Sequence, residues 1–305
     1  MDQQLVSSAY RTDRKVSAGY LFFLLGAMVI FAAVLGLFVE PIVRLLVRDS
    51  AYQVITSQII GSVLIFFVPP WVTEFYHRRR SESFLYRLRR EDTDRRSLLW
   101  VAVVYLLAIP LVGFLAHIME ILPVPLGLRE YLEASEALIE ETMAVMMGDK
   151  RPLSMLLVVL SLAVLTPIVE EFFFRGAIQG WALSRALNKH LVVWMVALIF
   201  SLVHFEWDGM LARWALGVML GYAALYGGLW ASIVLHMLNN FVAVLSLYFL
   251  GSELDFIPRS RGELLLISLS SALSIIGIAL IFNSMKKTLC QRGELNKIDK
   301  SDESE

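Results

Sequence analysis

Long apolar runs are the feature of this sequence that most limits its fold. About eight runs are long enough to cross the hydrocarbon core of a bilayer as helices. They lie near residues 19–39, 52–76, 97–121, 152–184, 190–207, 210–229, 230–250 and 263–285. Because 57% of the 305 residues are hydrophobic and only 18% are charged, this apolar surface does not fit into one water-soluble core. The sequence therefore predicts an all-α, polytopic membrane protein with about eight transmembrane helices.

Clusters of charge predict how these helices are oriented. The connection HRRRSESFLYRLRREDTDRR, residues 77–96, is rich in arginine, and the positive-inside rule places such a loop in the cytoplasm. An even number of spans then places both termini in the cytoplasm. The expected location is the plasma (inner) membrane if the host is a bacterium. The connection 122–150 is acidic and is expected outside. Its segment 130–148 has apolar residues at helical spacing, which predicts an amphipathic helix: either a solvated connector, or a helix on the outer surface or over a cavity mouth.

The order of these segments predicts a division into three parts. Residues 1–150 hold three transmembrane helices, the basic loop and the acidic connector. Residues 151–285 form the membrane core, whose later helices pack as antiparallel neighbours because connections such as GGLW at 227–230 are very short. Residues 286–305 form a polar C-terminal tail.

Two compositional features exclude some classes of function. The net charge of −1 gives no electrostatic reason to expect a nucleic-acid partner. Cys290 is the single cysteine, which excludes an intrachain disulfide framework and argues against a thiolate metal site.

Two adjacent glutamates, Glu170 and Glu171, lie within the apolar run 152–184. A charged group near the middle of a bilayer costs roughly 2.5 to 3.5 kcal/mol on insertion scales, so the pair marks a functional site. Residues four apart share a helix face, so we expect Glu171 to pair with Arg175 while Glu170 points elsewhere. A carboxylate without a cation can serve as a general base or acid. The alternative is a purely structural ion pair that joins helices.

Two later apolar runs also carry polar side chains. Phe200 and His204 lie four residues apart in one run, and His236 and Asn240 lie four apart in another, with Asn239 alongside. A lone intramembrane histidine is often only a hydrogen bonder between helices. Together with a free glutamate, however, these groups can activate water and face the oxyanion that develops on a carbonyl. The predicted chemistry is amide hydrolysis inside a membrane.

Straight helices would not bring these groups together. Counting spans places Glu170 and His236 nearer the cytoplasm and His204 nearer the outside. The run 152–184 would be about 50 Å long as a helix, so we expect it to tilt, to break near Pro167 or to leave the membrane in part. The grouping of the polar residues nevertheless predicts that they meet.

Three motifs carry a resemblance to a known family. The segments EEFFFR at 170–175, FSLVH at 200–204 and HMLNN at 236–240 resemble the EExxxR, FxxxH and HxxxN motifs of the CPBP family. That family unites type II CAAX prenyl endopeptidases with bacteriocin-processing and abortive-infection-like membrane proteins. The resemblance covers roughly residues 150–250, and the first three spans lie outside it.

The resemblance implies a role for each motif residue. Glu170 is expected to activate water with the help of His204, and His236 and Asn240 are expected to stabilise the oxyanion. The remaining motif positions are matched by Glu171 and Arg175, to which we assign a supporting role.

The expected activity is that of an intramembrane glutamic endopeptidase that needs neither a cofactor nor a metal. Its expected partners are the lipid bilayer and a peptide or protein substrate that is membrane-associated, lipidated or small. Three alternatives stay open: a non-catalytic scaffold or chaperone of the same family, a zinc-dependent membrane protease, and a proton-coupled transporter. The sequence lacks the HExxH pattern of many zinc proteases, and it carries no feature that fixes the oligomeric state.

Overall fold

The computed structural model describes residues 19–78, 95–125, 127–185, 187–251, 258 and 260–302. In this part of the chain the fold is helical and contains no strand, which confirms the predicted all-α class. Its helices are α1 (Gly19–Leu46), α2 (50–78), α3 (Arg95–Ile121), α4 (Arg129–Gly148), α5 (Pro152–Leu183), α6 (Lys189–Leu202), α7 (Met210–Gly227), α8 (Leu229–Leu250) and α9 (Arg261–Asp302).

Fewer helices than predicted are long and apolar enough to cross a membrane. Among the described residues 6 helices qualify by length and composition, namely α1, α2, α3, α5, α8 and α9, whereas about eight spans were predicted. α6 has 14 residues and is about 21 Å long, which is shorter than the roughly 30 Å hydrocarbon core. The predicted span 190–207 is wrong at its end because the helix stops at Leu202 and Phe205 adopts a positive φ of 52°.

α5 carries both glutamates and is not a regular α-helix. It runs for 32 residues and widens into π-helical turns at Val159–Leu165 and Phe172–Gln179. The break expected near Pro167 is not found. Pro167 lies directly after the first π-helical segment, and the helix continues through it to Leu183. Such wide turns are rare and occur often at functional sites.

One hydrophobic core joins the first three spans to the later helices. Buried side chains of α1, α3, α5 and α7 share this core, among them Leu24, Val101, Phe173, Phe174 and Leu220. α3 packs against α7, α8 and α9. The helices before and after residue 150 therefore share one core. Large apolar side chains such as Phe22, Leu45 and Leu266 are exposed, as expected for surfaces that face lipid.

The structure can be compared with the predictions for the acidic connector and for the C-terminal tail. The acidic connector forms α4, as predicted, and its C-terminal end packs through Met146 and Met147 onto a small core with Ile55 and Val244. The predicted polar tail begins inside α9, which continues to Asp302, so residues 286–302 are helical. The predicted basic loop lies largely outside the described residues, as do the N-terminal 18 residues and residues 303–305.

Candidate active site

Glu171 lies at the centre of a buried polar cluster. Its Oε1 accepts a hydrogen bond from Arg175 Nη1 at 2.7 Å and lies 2.9 Å from His236 Nδ1. Its Oε2 accepts a hydrogen bond from Ser232 Oγ at 2.5 Å. All four residues are buried. The predicted pairing of Glu171 with Arg175 is confirmed, and the carboxylate has two further partners on α8.

Arg175 ties three helices together. Besides Glu171, its guanidinium donates from Nη2 to the backbone oxygen of Gly217 on α7, at 3.0 Å. Its Cζ lies 4.6 Å from the centre of the Phe200 ring on α6. Because the ion pair is fully enclosed, losing either partner would leave an uncompensated buried charge. The pair therefore fixes α5 against the helices that carry the other motifs.

Glu170 has very different surroundings from its neighbour. Its Oε2 lies 3.8 Å from His236 Nε2, and no hydrogen bond or closer ion pair to Glu170 is found among the described residues. The side chain is nevertheless buried. As the helical geometry predicts, both carboxylate oxygens of Glu171 have hydrogen-bond partners, whereas those of the adjacent Glu170 have none among the described residues.

His236 lies between the two glutamates. A carboxylate without a proton can only accept, so the contact with Glu171 places a proton on Nδ1 of His236. The other ring nitrogen, Nε2, then faces Glu170. The imidazole therefore lies between Glu171, whose carboxylate has several hydrogen-bond partners, and Glu170, whose carboxylate has none among the described residues.

His204 lies beyond the end of α6, so the prediction that all three motifs lie on apolar helices is wrong for this residue. Its Nδ1 lies 2.7 Å from the backbone oxygen of Phe200. A carbonyl oxygen only accepts, so Nδ1 carries the proton and Nε2 of the neutral ring is available as an acceptor. The next residue, Phe205, has a φ of 52°, a strained conformation of a kind that is often found at functional sites.

The early end of α6 explains how His204 approaches the other motif residues. The Phe200 ring packs edge-on against both histidines, with centroid distances of 5.1 Å to His204 and 5.6 Å to His236. A single aromatic ring therefore separates the two imidazoles, although straight spans would place them at different depths. No hydrogen bond or ion pair joins His204 to Glu170 in the described part of the chain.

Asn240 is held in place by two contacts. Its Nδ2 donates to the backbone oxygen of Leu162 at 3.0 Å, which lies in the π-helical segment Val159–Leu165. Its Oδ1 accepts from Nδ2 of the adjacent Asn239 at 3.2 Å. An amide group has two N–H bonds, so one N–H of Asn240 is not used by these contacts.

Two residues of the cluster were not found from the sequence. Ser232 is one helical turn before His236, and this four-residue spacing on one face was the available signal. Gly217 lets α6 and α7 approach closely, because a Cβ at this position would lie 3.1 Å from Ala197 Cα. The close approach places the backbone oxygen of Gly217 within reach of Arg175.

α4 packs against the loop that carries His204. Glu136 Oε1 accepts hydrogen bonds from the backbone N–H groups of Trp207 at 2.8 Å and Asp208 at 3.4 Å. The rings of Tyr131 and Phe205 are in edge contact at 5.8 Å. The amphipathic helix predicted from the acidic connector therefore lies beside the motif residues.

Within the described residues, no group of three or more His, Cys, Asp or Glu side chains is arranged to hold a metal ion. Glu171 has both carboxylate oxygens engaged by protein groups. The carboxylate that lacks a hydrogen bond to the described residues is Glu170.

Residues 152–242 match the family model described as Rce1-like, type II CAAX prenyl endopeptidase Rce1-like. The matched range begins with α5 and ends two residues after Asn240, so it contains all three motifs and Ser232. No curated protein and no solved structure matches the chain.

Proposed function

Residues 152–242 form an Rce1-like domain, the domain of type II CAAX prenyl endopeptidases, and on this premise we propose that the chain is an intramembrane endopeptidase with Glu170 as its general base. The observation that carries the proposal is the contrast between two neighbouring buried carboxylates. Glu171 is saturated by Arg175, Ser232 and His236. Glu170 has one contact, at 3.8 Å from His236, and is therefore available to take a proton.

The proposed reaction begins with water beside Glu170. Glu170 takes a proton from the water, and the oxygen adds to the carbonyl carbon of the substrate peptide bond. His204 assists because its Nε2 can accept a hydrogen bond from the same water. The proton then passes from Glu170 to the amide nitrogen as the C–N bond breaks, which releases an amine and a carboxylic acid.

Two groups are proposed to stabilise the oxyanion. The unused N–H of Asn240 can donate to it. His236 faces Glu170 with Nε2, and this nitrogen can donate to the oxyanion when the ring carries both protons. Donors held in a dry site before the reaction begins act more strongly than in water.

Glu171 and Arg175 are proposed to support the reaction without taking part in it. Their pair and the bond from Arg175 to Gly217 hold α5 against α7, and Glu171 holds His236. The proposed substrate is a peptide that can reach a site between membrane helices, namely a membrane-associated, lipidated or small peptide.

A matched pair of substitutions tests the proposal. Glu170→Gln keeps the shape of the side chain but removes the base, and we expect peptide cleavage to fall by about 10²- to 10⁴-fold with a normal amount of protein. Glu171→Gln disturbs a buried ion pair, so we expect it to reduce the abundance of the folded protein as well as its activity.

Both variants are expressed in cells that lack the wild-type protein, and the membrane peptides and the protein level are followed by mass spectrometry. Specific uncleaved peptides that accumulate with Glu170→Gln support the peptidase and name its substrate. If Glu170→Gln changes no peptide while deletion of the protein does, the scaffold function is correct instead.

A chelator separates the proposed mechanism from its zinc-dependent rival. Catalytic zinc is held by three protein ligands, and the described residues contain no group of three or more His, Cys, Asp or Glu side chains that is arranged to hold an ion. We expect cleavage to survive strong chelation. Loss of cleavage with a chelator, followed by rescue with zinc, would establish the metal mechanism.

A further inference from the structure

Arg213, in the first turn of α7, has a buried hydrogen-bond donor without an acceptor. Its Nη2 pairs with Glu206 Oε2. Its Nη1 is inaccessible to solvent and has no hydrogen-bond partner among the described residues. A buried donor that lacks an acceptor costs free energy, and each case in a folded protein calls for an explanation such as a bound ligand.

A second donor of the same kind lies on the adjoining loop. Trp207 Nε1 is also buried and has no acceptor within the described part of the chain. The loop 203–209 that carries Trp207 also carries His204. An indole N–H and a guanidinium N–H can together receive the two oxygens of one carboxylate.

The local backbone is shaped to hold this guanidinium. The side chain of Arg213 folds back over Gly209, and a Cβ at that position would lie 2.7 Å from Arg213 Nη2. The positive charge of Arg213 is close enough to act electrostatically on both Glu170 and His204. A cation that none of the three motifs contains is therefore held against the loop that carries His204.

We infer that Arg213 is a specificity-determining residue that binds a carboxylate of the peptide substrate. The inference rests on the proposed peptidase function and adds the chemical class that the site selects. Arginine suits this task because its planar fork matches a carboxylate and stays charged. Nη1 and Trp207 Nε1 receive the substrate, while Nη2 keeps its contact with Glu206. The carboxylate is either the free C-terminus of the peptide or an aspartate or glutamate side chain.

Binding is measured on the full-length Glu170→Gln protein in detergent, so that turnover does not interfere. The probe is a fluorescent decapeptide with a farnesylated cysteine at the fourth position from its C-terminus, followed by fluorescence anisotropy. It is made in three forms: with a free C-terminal carboxylate, with a C-terminal amide, and with a C-terminal amide after a final glutamate.

We expect the free acid to bind about tenfold more tightly than the amide, because only the acid forms a charge-assisted hydrogen-bonded pair with Arg213. With Arg213→Gln added, acid and amide should bind equally. If the glutamate-containing amide binds as tightly as the acid, the site accepts a side-chain carboxylate. If it binds like the plain amide, the site selects the C-terminus. Equal binding of all three forms before Arg213 is changed, or a preference that persists in Arg213→Gln, overturns the inference.

Three further variants guard against a folding defect. Gly209→Ala keeps the charge of Arg213 but displaces its fork, so the preference for the acid should fall. Glu206→Gln removes the competing carboxylate, so the preference should rise. Arg44→Gln removes an exposed arginine whose side chain is 73% accessible, and the preference should not change.

Cleavage of the same peptides by the protein with Glu170 intact separates this inference from the proposed function. If the preference depends on Arg213 but no peptide is ever cleaved, the carboxylate site is correct and the peptidase proposal fails. If none of the three peptides binds the folded protein, the inference about Arg213 is wrong.

Discussion

Nδ1 of His236 lies 2.9 Å from Oε1 of Glu171, so a motif histidine of α8 is held by the glutamate that follows the proposed base. This contact joins the motif at 170–175 to the motif at 236–240. Glu171 fixes the plane of the imidazole, and this sets where Nε2 points relative to Glu170. In the proposed mechanism, the second glutamate of the pair therefore acts through the position of a neighbour rather than through a proton of its own.

The hydroxyl of Ser232 should matter for activity although it belongs to none of the three motifs. Ser232→Ala leaves Glu171 Oε2 without its closest partner, and loss of one hydrogen bond to a buried charged group corresponds to about a tenfold effect or more. We expect kcat to fall while KM changes little, because Ser232 holds Glu171 and not the substrate. Steady-state cleavage of the farnesylated peptide measures both.

Ser246→Ala is the matched control for Ser232. Ser246 lies on the same helix and is also buried, but its hydroxyl bonds to the backbone oxygen of Val242. Equal effects of the two alanine substitutions on kcat would contradict a special role for Ser232.

The buried ion pair should behave as a unit in stability measurements. Arg175→Gln leaves Glu171 as an uncompensated buried charge, which costs about 3–5 kcal/mol in soluble proteins. The double variant Glu171→Gln/Arg175→Gln removes both charges, so its thermal unfolding temperature in detergent should lie above that of the single Arg175 variant. A double variant that unfolds at the temperature predicted by adding the two single losses would show that the pair is not coupled.

Gly217 should not tolerate even a methyl group. Gly217→Ala places a Cβ at 3.0–3.2 Å from backbone and side-chain atoms of Ala197, so α6 and α7 must separate and the unfolding temperature should fall. Gly26→Ala adds a methyl group where nothing lies within 4 Å, and there the higher helix propensity of alanine should leave stability equal or slightly higher. Similar unfolding temperatures for the two variants would refute this close approach.

A surface cluster near α5 should make stability depend on acid pH. Hydrogen bonds from the Arg151 guanidinium lower the pKa of Asp49 and of Asp149 below the ordinary value of 3.8. Groups whose pKa is lowered in the folded state add stability above their unfolded pKa and lose it as the pH falls through the folded value. Wild type should therefore unfold at a higher temperature than Arg151→Gln at pH 7.

This difference should shrink as the pH is lowered below 3.8, because both aspartates then become protonated. Scanning calorimetry of the two proteins between neutral and acid pH measures it. A difference that stays constant down to the lowest pH would show that the carboxylates do not contribute through their charge.

The helical class and the Glu171–Arg175 pair were predictable because they depend on local rules. Apolar runs of sufficient length specify helices in a membrane, and a four-residue spacing brings two side chains to one face. The partners on α8 were not predictable in the same way. That Ser232 and His236 both bond to Glu171 depends on how α5 and α8 pack, which the sequence of neither helix encodes alone.

Two features that were not predicted share one physical cause. A window of apolar residues does not reveal that the helix stops at Leu202, because the residues after it remain partly apolar while the backbone turns at Phe205. The same holds for the π-helical segments of α5, whose wide turns have no simple residue signature. Both features determine where motif residues lie. The detailed geometry of the site was therefore harder to predict from the sequence than the fold class.

The early end of α6 also determines how far water must travel. A helix of about 21 Å that starts at one face of a 30 Å hydrocarbon layer ends roughly 9 Å before the other face, and in α6 the loop that holds His204 follows this end. Lipid beside a short helix thins to match it, which shortens the path of the water molecule that hydrolysis consumes. Hydrolysis in vesicles should therefore slow as lipids with longer acyl chains thicken the bilayer, and membrane thickness becomes a determinant of the rate.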